Sequence, residues 1–113
     1  MKNIQIHELR DINDYSKSRC KKIIQEYSLI NINYYRGQYK GYLYIIKLVN
    51  SIISQNYRMK HYELYNIIKN QKNLVLRKYH PKNDYKNGVI DALYDILNYT
   101  SNQNYNSPKR IGE

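Results

Sequence analysis

The stretch Asn33-Tyr-Tyr-Arg-Gly-Gln-Tyr-Lys-Gly-Tyr-Leu-Tyr-Ile-Ile-Lys-Leu-Val-Asn-Ser-Ile-Ile-Ser-Gln55 decides the fold class. Tyr35, Tyr39, Tyr42, Ile46, Val49 and Ile53 recur in it at alternating steps of four and three. At about 100° per residue this rhythm keeps one face apolar along the whole stretch, which predicts a long amphipathic helix over 33–55. Ile45 and Ile52 widen that face on one side. Arg36, Lys40 and Lys47 fall together on a flank away from the stripe, with Tyr44 beside them.

Three further segments carry the same period. Cys20, Ile23, Ile24 and Tyr27 predict a helix over 14–29, with Asp11, Asn13 or Asp14 as its cap. His61, Leu64 and Ile68, with Ile67 beside them, predict a helix over 57–70 capped by Asn56. Leu74 to Tyr79 either continue that helix or form a short strand. Pro81 breaks the chain, and Asp84 is placed to cap a last helix over 85–99 whose stripe is Tyr85, Val89, Ala92, Leu93 and Ile96. Asn3 to Leu9 alternate in polarity and read as a strand or an extended arm.

The expectation is therefore an all-α bundle of about four helices. It forms a single domain over 1–100 with a flexible tail over 101–113, where Ser, Asn, Gln and Pro dominate. Glu8 to Ile12 resemble Glu63 to Ile67. Asn33, Tyr35, Leu43, Tyr44 and Ile46 return fifty positions later as Asn83, Tyr85, Leu93, Tyr94 and Ile96. Two related helical hairpins would produce that pattern.

The chain has 113 residues, 15 of them Tyr, with no Phe and no Trp, so every aromatic ring brings a hydroxyl that seeks a partner when buried. Its net charge of +10 is unevenly spread. Residues 31–56 hold three bases and no acid, and residues 57–86 hold eight bases against two acids. The basic middle points to a polyanionic partner, with nucleic acid first. The candidate contacts are Arg36, Lys40, Tyr44 and Lys47 on the long helix, then Lys69, Lys72, Arg77, Lys78, Tyr79 and Lys82 around the turn at Pro81. Lys and Arg would take phosphates while Tyr stacks or hydrogen bonds. Lys17, Arg19, Lys21 and Lys22 form a third basic cluster, which reads as an ordinary surface face.

No catalytic chemistry is legible. His7, His61 and His80 have no metal-ligand spacing with Cys20 or a carboxylate. Arg36-Gly37-Gln38-Tyr39-Lys40-Gly41 has too few glycines for a phosphate loop. Asp91 and Asp95 lack a third acid or a histidine on their face and read as pairing or solubilising acids. Cys20 sits on an apolar stripe and reads as a structural thiol. A helix-turn-helix is disfavoured, because no short helix pair with a tight glycine turn is present.

The expectation is a non-enzymatic protein without cofactor or metal that binds DNA or RNA through a Lys/Arg/Tyr surface. The competing expectation is a protein-binding inhibitor or accessory factor, of the kind encoded by a phage or mobile element, since Tyr is an interface-type residue. Self-association along the long Tyr and Ile stripe is compatible with both. A lone Cys, no apolar signal core and no membrane-spanning run place the chain in the cytoplasm.

Overall fold

The computed structural model describes residues 3–55, 58–78 and 83–102. Helix α1 spans Ile6–Glu26, a short 3-10 turn spans Leu29–Asn31, and α2 spans Ile32–Ser54; α3 covers His61–Lys78 and α4 covers Asp84–Asn102. Among the described residues there is no strand, only an isolated bridge between Asn3 and Lys60. The all-α reading holds, and 33–55 is a helix within one residue at either end.

The centre of the molecule is the crossing of α2 and α4, made possible by small residues one helical turn apart. A Cβ on Gly37 would land on the Tyr85 carbonyl, and one on Gly88 on the Tyr34 carbonyl. A Cβ on Gly41 would come within 2.6 Å of the Ala92 methyl. Gly37 thus faces Tyr85 and Val89, Gly41 faces Val89 and Ala92, and the two helices run parallel in near backbone contact. Such an approach leaves no room at the three glycines even for a methyl group unless the helices move apart.

The long helix is consequently rotated from its expected setting. Its buried residues are Gly37, Gly41, Tyr42, Ile45, Val49 and Ile52. Tyr35, Tyr39, Ile46 and Ile53 are only half-buried. The inner face is turned by roughly 80° toward the glycines. Hydrophobicity alone points to the tyrosines; the geometry of the crossing selects the residues without side chains.

Outside this pair, α1 packs on α2 and α3 packs on α4. The core joins Leu9, Ile12 and Cys20 of α1 and Tyr42, Ile45 and Val49 of α2 to Leu64, Ile68 and Val75 of α3 and Leu93, Ile96 and Leu97 of α4. Burying each such side chain is worth about 1.5–3 kcal/mol.

The starts of α1 and α3 differ from the expectation for one shared reason. Glu8 Oε1 accepts the Gln5 N–H at 2.8 Å, and Glu63 Oε1 accepts the Lys60 N–H at 2.9 Å. A glutamate in the first turn thus closes each helix N-terminus by the reciprocal half of a capping box. The Asn3–Leu9 segment is therefore mostly helix, and Asp11, Asn13 and Asp14 lie inside α1 rather than capping it. Asn13 instead donates to Asn50 Oδ1 at 2.8 Å. The predicted cap Asn56 lies outside the described residues.

Helix α3 runs on through Leu74 to Lys78, so that segment is not a strand. At α4 the cap is Asn83, whose Oδ1 accepts the Lys86 N–H at 3.0 Å, while Asp84 is the first helical residue. Helix α1 ends at Glu26, and Ile24 and Tyr27, expected in the core, are exposed. Helix α4 reaches Asn102, two residues into the expected tail over 101–113, and 103–113 lie outside the described residues.

The glycine contacts are reciprocal. Gly37 meets Tyr85 where Gly88 meets Tyr34, and Gly41 meets Ala92. This is the signature of a two-fold relation, here within one chain. It pairs Tyr34 with Tyr85, Gly37 with Gly88, Gly41 with Ala92 and Tyr42 with Leu93, a spacing one longer than the fifty suggested by matching letters. In the outer helices the shared caps pair Glu8 with Glu63, which sets Leu9 opposite Leu64 and Cys20 opposite Val75, all buried. The molecule is two helical hairpins, α1–α2 and α3–α4, meeting across the glycine crossing.

Candidate functional site

Each hairpin offers a side groove against the other, and the two grooves differ. The first lies where α1 meets α2 and α4, and side chains fill it. Asp95 on α4 accepts the Tyr15 hydroxyl at 2.8 and 2.9 Å and the Tyr42 hydroxyl at 2.5 Å. Arg19 Nε stands 3.4 Å from the same carboxylate and donates to the Tyr42 hydroxyl at 3.4 Å. Tyr15 stacks on Tyr99 with ring centroids 4.1 Å apart. One turn earlier on α4, Asp91 accepts the Tyr34 hydroxyl.

The two α4 acids therefore satisfy the hydroxyls of core-edge tyrosines, which is why these rings need not be Phe. Burial, reinforced by the hydrogen bond to Asp95, pushes the Tyr15 phenol up to about 12. Burial and Asp91 push Tyr34 up to about 12 as well. Tyr42, the most buried of the three, is raised further for the same reasons. These phenols stay neutral donors across the ordinary pH range.

The second groove lies between α3, α4 and α2, and it is open. It forms a cleft of about 570 Å³ lined by Lys40 and Tyr44 of α2, Gln71, Leu74, Val75, Arg77 and Lys78 of α3, and Tyr85, Val89 and Leu93 of α4. The two-fold relation explains the vacancy. Where the filled groove has Arg19, Tyr42 and Asp95, the open one has Leu74, Leu93 and Tyr44. Where the filled groove has the acid Asp91, the open one has the base Lys40. Its charged lining residues are all cations, and no carboxylate lines it among the described residues.

The sequence-predicted contacts divide accordingly. Lys40, Tyr44, Arg77 and Lys78 come from separate segments and share this one cleft. Tyr44 is half-buried in its wall, not exposed on the flank, because the rotation of α2 carries it inward, and burial raises its phenol. Arg36 and Lys47 lie exposed along α2, and Lys69 is exposed on α3. Lys72 is half-buried, with its ammonium 5.7 Å from the centroid of the exposed Tyr94 ring. It is thus a cation–π partner within the fold as well as a base. Tyr79 and Lys82 lie outside the described residues.

Sequence reading missed the apolar wall of the cleft, Leu74, Val75, Val89 and Leu93. The signal that locates it is the small-residue spacing of Gly37 and Gly41 against Gly88 and Ala92. That spacing sets α2 beside α4 and leaves α3 to approach from the far side. His61 Nε2 lies 3.0 Å from Glu8 Oε2, tying the start of α3 to the start of α1. The Cys20 thiol is buried, and desolvation raises its pKa, which suits a packing role. No group of His, Cys, Asp and Glu able to hold a metal occurs among the described residues, and no described helix is long and apolar enough to cross a membrane.

No protein family matches this chain, and neither does any curated protein or solved structure.

Proposed function

We propose that this protein binds nucleic acid, without enzymatic activity of its own, through the basic surface centred on the α2–α3–α4 cleft. The observation that carries the proposal is the convergence of Lys40 with Arg77 and Lys78 on one cleft, beside tyrosine rings. Neither Lys40 nor Arg77 has an ion-pair partner among the described residues. Arg36 and Lys47 extend the positive track along α2, and Lys69 extends it along α3. Such a track binds phosphates by releasing their counterions.

The test is fluorescence anisotropy with a labelled single strand at 50 and 200 mM salt. Three phosphate contacts, one each for Lys40, Arg77 and Lys78, give a weakening of roughly twenty-fold over that range. Affinity that does not change with salt would refute the proposal.

A second reading, a protein-binding inhibitor or accessory factor, is favoured by one separate feature. Ile24, Tyr27, Leu29 and Ile30 stand exposed around the α1–α2 turn, with Ile30 91% accessible. Clustered apolar exposure of this kind is typical of protein contact surfaces. Substituting Leu29 and Ile30 by Ser separates the readings: nucleic-acid affinity is expected to stay unchanged, while a protein complex docked there would be lost.

A further inference from the structure

We infer that the open cleft receives the base of an unpaired nucleotide, so that the protein prefers single-stranded nucleic acid to duplex. This deepens the nucleic-acid reading and rests on it. Four observations lead there.

The first is size. A cleft of about 570 Å³ lies within the roughly 300–1,000 Å³ range of small-ligand sites, too confined for a duplex and ample for one nucleotide. The second is the wall. Tyr44 and Tyr85 supply rings, and Leu74, Val75, Val89 and Leu93 supply apolar surface, the lining on which a base stacks. The third is charge. Lys40, Arg77 and Lys78 line the cleft, where the phosphates on either side of an inserted base would lie, and Lys40 and Arg77 have no ion-pair partner among the described residues.

The fourth is the comparison within the molecule. The two-fold mate of this cleft is filled by the chain's own Tyr42 ring, held by a carboxylate and a guanidinium. The same framework on the open side has a leucine in place of that ring and a lysine in place of Asp91. The side with Leu93 in place of Tyr42 and Lys40 in place of Asp91 has the space and the cations for an aromatic group carrying negative charge. A duplex keeps its bases stacked inside and presents phosphates alone. A single strand offers both groups at once.

The experiment compares three ligands of equal length at one salt concentration: an oligothymidine strand, the same strand built of abasic sugar-phosphate units, and the corresponding duplex. The inference predicts that the base-bearing strand binds at least about five-fold tighter than either of the others. It also predicts that Leu74→Trp, which fills the cleft from a partly exposed position, lowers oligothymidine binding to the abasic level. Binding of the abasic strand itself is expected to stay unchanged.

Equal, salt-dependent binding of the base-bearing and abasic strands overturns base insertion while leaving the phosphate reading intact. So does a Leu74→Trp protein that keeps its preference, with a circular dichroism spectrum confirming its fold. Absence of binding to all three ligands overturns both.

Discussion

The two grooves flanking the α2–α4 crossing are built on one framework and finished differently. On the α1 side, Asp95 gathers Tyr15, Tyr42 and Arg19, Asp91 holds Tyr34, and the space is closed. On the α3 side, the matching positions carry Leu74, Leu93, Tyr44 and Lys40, and the space is a cleft. The difference separates two settings of tyrosine. Rings whose hydroxyls reach an internal carboxylate complete the fold. Tyr44, by contrast, has its ring in the wall of the open cleft.

The largest expected effect comes from the shared framework itself. Gly88→Leu drives a side chain into the Tyr34 carbonyl and should cost about 3 kcal/mol or more, read as a lower midpoint in urea. A variant as stable as the parent would remove the crossing that makes the two grooves equivalent. Next, Asp95→Ala leaves the Tyr15 and Tyr42 hydroxyls and Arg19 without their acceptor. Because the site is partly solvated, the loss should be about 2 kcal/mol. Its mate on the open side, Tyr44→Phe, should change stability by less than about 0.5 kcal/mol. Equal costs would erase the distinction between a closed and an open groove.

Alkaline titration sharpens the same point. Tyr15 and Tyr34 ionise near 12 in the folded protein, against about 10 when unfolded. Between those values the folded state holds more protons than the unfolded state, so stability falls as pH rises from about 10 to 12 and is unaffected by these groups below that window. Absorbance near 295 nm should show a late-titrating set of phenols, and Asp95→Asn should bring the Tyr15 part of it down. A similarly small effect belongs to the Lys72–Tyr94 pair, where Tyr94→Leu should cost about 0.5 kcal/mol in a thermal melt.

Much of this architecture is legible in the sequence. Helical period survives in any chain that must bury one face, so 33–55 and the stripes at Leu64/Ile68 and Val89/Leu93/Ile96 are visible at once. The helix starts are not, because Glu8 and Glu63 cap from inside the helix whereas Asn and Asp residues nearby mimic caps. The facing of α2 is not visible by hydrophobicity either, since Gly37 and Gly41 contribute no apolar side chain yet lie at the centre of the packing. That rotation decides the site: it carries Tyr44 inward and makes Lys40 a neighbour of Arg77 and Lys78. The individual cations are readable from charge runs, but their convergence depends on α3 continuing through Leu74 to Lys78 and packing on α4.

The central claim is that binding resides at the cleft and not in net charge at large. It is tested by comparing two double charge reversals that alter net charge equally: Lys40→Glu with Arg77→Glu on the cleft rim, and Lys21→Glu with Lys22→Glu on the exposed face of α1. The cleft pair should weaken single-strand binding at least about ten-fold more than the α1 pair, with the salt slope reduced only in the cleft variant. Equal losses in the two proteins would contradict the account.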